Sequence, residues 1–122
     1  MDCALLLDQI ISDIEKENFK CEFVNSGFGS YHYSEEITDL FKILESAKYR
    51  AIFDDNIESY SYADKKKLDQ NTDPEQYTLI DYVIVLNWIW HVEAGIAVGT
   101  IMKKLKDGSY LKTLKQFRKF MK

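Results

Sequence analysis

The chain is poor in the residues that interrupt or staple a fold. Its 122 residues include one proline, Pro74, and five glycines, too few for long flexible linkers. Two cysteines, Cys3 and Cys21, cannot make a disulfide scaffold, and with no secretory leader the expectation is reduced thiols in a cytoplasmic protein. The two histidines, His32 and His91, fall in no His/Cys spacing suited to zinc, so no metal is expected. A long hydrophobic run is missing as well. Leu79 to Met102 is rich in apolar residues, yet Asp81, Asn87, His91 and Glu93 interrupt it, and its longest uncharged run is about 11 residues against the ~20 that a spanning helix needs. No membrane partner is expected. There is no glycine-rich phosphate loop, nucleophile elbow or paired-His helix, and neither cysteine has a local general base, so no cofactor and no catalytic set is read.

What remains is an ordinary globular composition, 46% hydrophobic and 30% charged, of a length suited to one domain over residues 1–122. Leu6, Leu7, Ile10, Ile11 and Ile14 give Asp2 to Glu17 the stripe of an amphipathic helix, with Asn18 as its stop. Phe19 to Val24 alternates apolar with charged residues, the period of a half-buried strand, and Ser30 to Tyr33 returns beside it after Gly27 and Gly29. Ser34, followed by Glu35 and Glu36, caps a helix whose stripe is Ile37, Leu40, Phe41 and Leu44. Tyr49 to Tyr62 reads as another hairpin turning at Asp54, Asp55 and Asn56, and Ala63 to Thr72 as a surface connection. Asp73, Pro74, Glu75 and Gln76 signal the start of a long helix that is apolar nearly all round through His91, and therefore central. Gly95 and Gly99 bracket a break and restart, and Asp107 with Gly108 turns into a last helix.

That last helix has two opposed faces: Tyr110, Leu114, Phe117 and Met121 on one, Lys112, Lys115, Lys119 and Lys122 on the other. From Lys103 onward eight basic residues face the single acid Asp107, a charge of +7. In a chain of net −4 this leaves −11 on residues 1–102. Such asymmetry points either to a partner or to one half docking on the other.

The order Leu86, Gly99, Gly108, Leu111, Leu114 and Phe117 resembles the C-terminal core of a bacterial family of domains of unknown function. Its members carry an R-x-E-R-F-x-x-G stretch, a second glycine nine residues on, and L-x-x-L in a last basic helix. Here His91 stands at the Arg position and Glu93 keeps the acid. Ala94 and Gly95 replace the following Arg-Phe, and one residue is inserted before Gly99. The resemblance covers the C-terminal third, implies its helical layout, and implies no reaction.

The sequence therefore predicts a helix-rich α+β domain of about five helices and one or two short antiparallel hairpins, with an all-α domain as the alternative. The leading functional reading is a small acidic, non-enzymatic binding protein that inhibits a protein partner with a basic surface, in the manner of an immunity or counter-defence protein. Asp54, Asp55, Glu58, Tyr60 and Tyr62 are its contact residues. A second reading is a small-ligand pocket or minor enzyme around Trp88, His91 and Glu93, although a lone His at the end of a buried helix reads first as a satisfied core or capping group. A third is nucleic-acid binding through Lys112, Lys115 and Lys119, against which the acidic remainder counts. Tyr31 and Tyr33, on one face of a strand, read as cross-strand packing or as a binding platform.

Overall fold

A computed structural model describes residues 2–26, 28–70 and 76–121. The architecture is helix-rich α+β, with one two-stranded antiparallel sheet among the described residues. Helix α1 (Cys3–Glu15) is followed by strands β1 (Cys21–Ser26) and β2 (Phe28–Tyr33). Two short helices come next, α2 (Glu35–Thr38) and α3 (Leu40–Leu44), then α4 (Ala47–Asn56), a 3-10 turn (Ile57–Ser59) and α5 (Tyr62–Gln70). The chain ends in α6 (Leu79–Gly95), α7 (Thr100–Asp107) and α8 (Ser109–Arg118).

Helix α6 is the inner strut, as its all-round apolar sequence predicts. Tyr82 through Leu86, Trp88 and Ile89 are buried along its length. Around it close Leu7, Ile10 and Ile14 of α1, Ile37, Leu40 and Ile43 of α2 and α3, Ile101 of α7, and Tyr110, Leu114 and Phe117 of α8. Thr78 and Asp81 start α6 with a reciprocal capping box: the Thr78 side chain accepts from the Asp81 amide and the Asp81 carboxylate from the Thr78 amide. The start signal at Asp73–Glu75 lies outside the described residues.

At α1 the Asp2 carboxylate accepts from the amides of Ala4 and Leu5, and the helix stops where Glu17 takes a positive φ of 53°. The hairpin pairs Cys21 with Tyr33 and Phe23 with Tyr31, which sets those four side chains on one face. Its base is closed by Ser34, whose amide donates to the Lys20 carbonyl while its hydroxyl accepts from the Lys20 amide. Ser34 thus ties the hairpin instead of capping α2 with its side chain, and the helix expected from it is broken in two at Asp39.

The second hairpin is not formed. Residues 47–56 are helical, because Tyr49, Ile52 and Phe53 at i, i+3 and i+4 face the core, and burial against α6 outweighs the strand preference of these residue types. Tyr62, expected at the end of that hairpin, and residues 63–70, expected as part of a surface connection, form α5, where Leu68 packs against the core and the Tyr77 hydroxyl donates to the Leu68 carbonyl.

The basic end docks on the acidic beginning. Arg118 makes a two-pronged bond to Asp8, Nε to Oδ1 at 2.8 Å and an Nη to Oδ2 at 3.2 Å, while Lys115 lies 3.3 Å from Glu15. Lys104 pairs with Asp69 at 2.7 Å, so part of the charge asymmetry is answered within the molecule.

Candidate functional site

No helix among the described residues is long and apolar enough to cross a membrane, and no group of three His, Cys, Asp or Glu side chains among them could hold a metal ion. Three surfaces carry what chemistry there is, and α6 positions two of them on opposite sides.

On one side Glu93, 7% exposed, is the hub of a polar knot. Its carboxylate accepts from the Tyr33 hydroxyl at 2.5 Å and from the amides of Gly99 at 2.6 Å and Ile101 at 3.0 Å; the Tyr33 oxygen in turn accepts from the Met102 amide at 3.1 Å. Those amides belong to the start of α7, which has no side-chain cap of its own, so Glu93 supplies the missing anion from the neighbouring helix. Burial, then the bond to Glu93, hold the Tyr33 phenol far above its ordinary titration range, and burial raises the Cys21 thiol. Both carboxylate oxygens accept from protein donors, Oε1 from two and Oε2 from one, so Glu93 acts as a fastening group between β2, α6 and α7.

Beside this knot a groove of about 770 Å³ runs between the hairpin and the C-terminal end of α6, walled by Tyr31, Phe41, Trp90, Ile96 and Val98. Ile96 and Val98 are 56% and 46% exposed. Phe23, also 56% exposed, packs edge-on against Tyr31 and lies across Gly29, where a Cβ would meet its ring at 2.4 Å. Large apolar side chains this exposed and this close together exceed the scattered singles normal for a surface.

On the other side of α6, Trp88 and His91 line a cleft of about 330 Å³ together with Arg50, Phe53 and Ile57, and with Lys65 from α5. His91 is exposed and lies 5.6 Å from the Trp88 ring, so it is neither the core nor the capping group expected of it. Glu93 does not join it, since two residues along a helix turn a side chain to nearly the opposite face. The trio Trp88, His91 and Glu93 is thereby divided between a cleft and a knot.

The acidic corner is partly as the sequence implies. Asp54, Asp55 and Glu58 are exposed at the end of α4 and the turn after it, and Tyr62 is 58% exposed, its ring edge-on to Trp88 at 5.2 Å. Tyr60 points inward instead, donating to Asp81 at 2.6 Å, and burial and that bond push its phenol up to about 12. These residues lie on helical and turn backbone, so Tyr60 and Tyr62 do not share a strand face. Of the basic trio, Lys112 and Lys119 are exposed, and Lys115 is engaged with Glu15.

Sequence reasoning missed Tyr33 as partner to Glu93, and it missed Arg50, Phe53 and Lys65. The alternation that puts Tyr33 and Phe23 on one strand face is a usable signal for the groove; for the cleft the sequence offers Trp88 and His91 but not the walls that α4 and α5 supply. No family model, no curated protein and no solved structure matches the chain.

Proposed function

We propose that this chain is a non-enzymatic binding protein that inhibits another protein by covering part of its surface. The observation that carries the reading is the groove beside Glu93, where Phe23, Ile96 and Val98 stand half-exposed around Tyr31, Phe41 and Trp90. Aromatic and aliphatic anchors of this kind dominate binding energy when a partner side chain excludes water from them. The groove's one carboxylate is 7% exposed and already accepts from Tyr33, Gly99 and Ile101, which favours recognition over acid–base chemistry. A basic partner fits the remaining charge: Asp55 and Glu58 have no ion-pair partner among the described residues, and Asp54 pairs only with Arg50 beside it on α4.

The test is capture from the native cell extract with the wild type, with Ile96→Ser/Val98→Ser, and with Asp54→Lys/Asp55→Lys, followed by titration of the captured protein in pure form. The reading expects a protein lost from the groove variant by at least about tenfold in affinity, as a hot-spot truncation of about 1.4 kcal/mol or more would give. Its salt dependence should weaken in the charge-reversed variant. Equal capture by all three proteins, or turnover of a small molecule that vanished with His91→Ala, would overturn it.

A further inference from the structure

The cleft on the far side of α6 is unused by the reading above. Its walls come from three helices: Arg50, Phe53 and Ile57 from α4 and the turn that follows, Lys65 from α5, and Ile84, Asn87, Trp88 and His91 from α6. About 330 Å³ lies at the lower end of the range for small-molecule sites. Its chemistry is lopsided. Two permanent cations line it, Lys65 with its Nζ 5.4 Å from the Trp88 ring centre and Arg50 with its guanidinium carbon 5.3 Å from that of Phe53. No carboxylate is among its lining residues, and Asp54 holds the Nε side of Arg50, at 3.1 Å. The Asn87 amide nitrogen donates to the Val83 carbonyl at 2.7 Å, within its own helix. Between the cations the lining is apolar, from Phe53, Ile57 and the largely buried Trp88 with Ile84 behind them, and the exposed imidazole of His91 lies 5.6 Å from the Trp88 ring.

From this arrangement we infer that the cleft binds a small planar aromatic molecule carrying one acidic group, the ring seated among Phe53, Ile57 and Trp88 and the acid against Arg50 and Lys65. Carboxylate and phosphate satisfy those cations equally in kind, so an aromatic carboxylic acid and a nucleoside monophosphate are the two sources of the same chemistry. The site is separate from the groove, and its success or failure leaves the protein-binding reading where it stands.

The experiment titrates the full chain with indole-3-carboxylate and with adenosine 5′-monophosphate, using uncharged indole and adenosine as controls, and follows the indole and imidazole proton resonances by NMR. The expected result is saturable binding of one acid, with shifts centred on Trp88 and His91. Its neutral counterpart should bind at least about threefold more weakly, and Lys65→Gln and Arg50→Gln should each lose about threefold or more, the scale of one partly solvated ion pair. Which acid saturates identifies the source. Arg50 and Lys65 lie at the surface, so both variants are expected to fold, and an unchanged circular dichroism spectrum confirms it. Failure of both acids to saturate, equal binding of the neutral controls, unchanged affinity in both variants, or shifts centred on Trp90 would overturn the inference.

Discussion

At the scale of single residues, Glu93 illustrates how a buried charge becomes structural. Three donors converge on it, and removing the acceptor strands two backbone amides and a phenol where water has little access. Glu93→Ala is therefore expected to destabilise the protein by about 3 kcal/mol, and Tyr33→Phe by about 1.5 kcal/mol, in denaturant titrations. Gly99 stands at φ 91°, and a Cβ there would come within 3.0 Å of the Tyr31 ring. Gly99→Ala meets both obstacles and should cost about 1–2 kcal/mol by the same measurement. Tyr60 gives a pH test. Its folded value of about 12 lies above the ordinary 10.0, so the native state holds the proton more tightly than the unfolded chain does. The stabilisation is complete below pH 10 and is lost as the pH rises toward 12. Tyr60→Phe should flatten that decline in unfolding curves, leaving the shares of Tyr33 and Tyr110, whose phenols are raised chiefly by burial. Glu93 itself was visible in the sequence as an acid near His91, but its role was not, because its partners lie 60 residues before it and 6 and 8 after it.

At the scale of elements, legibility followed how much of each pattern was local. The stripes of α1, α6 and α8 need only periodicity, and the first hairpin needs alternation with glycine between its arms; all four are present, although α6 begins at Leu79, behind its Thr78 cap, and not at the Asp73–Gln76 signal. Helix α4 is hidden because Tyr49, Ile52 and Phe53 prefer strands when judged alone and Asp54, Asp55 and Asn56 prefer turns, and α5 because its polar run looks like a surface connection, while the surface against which both pack belongs to α6. Two of the cleft's three walls are those helices, so the sequence offers only its third, with Trp88 and His91 on α6. Where a local device is present it should act locally. Thr78→Ala removes the acceptor for the Asp81 amide at the head of α6 and should lower stability by about 1 kcal/mol, read as a shift in the denaturation midpoint with an unchanged slope.

For the whole molecule, the dominant electrostatic feature is a basic C-terminal segment folded against an acidic remainder. The Arg118–Asp8 pair is 29% and 51% exposed, so Arg118→Gln should cost only about 0.5–1 kcal/mol, and the difference from wild type should shrink as salt is added to thermal melts. This closure engages Lys104, Lys115 and Arg118 and leaves Lys103, Lys106, Lys112 and Lys119 exposed to solvent among the described residues. The knot at Glu93 has a kinetic corollary. Because one carboxylate fastens β2, the end of α6 and the first turn of α7, those pieces can open only together. The amides of Gly99, Ile101 and Met102, at a helix start that would ordinarily fray, should trade their protons for deuterium as slowly as those in the middle of α6.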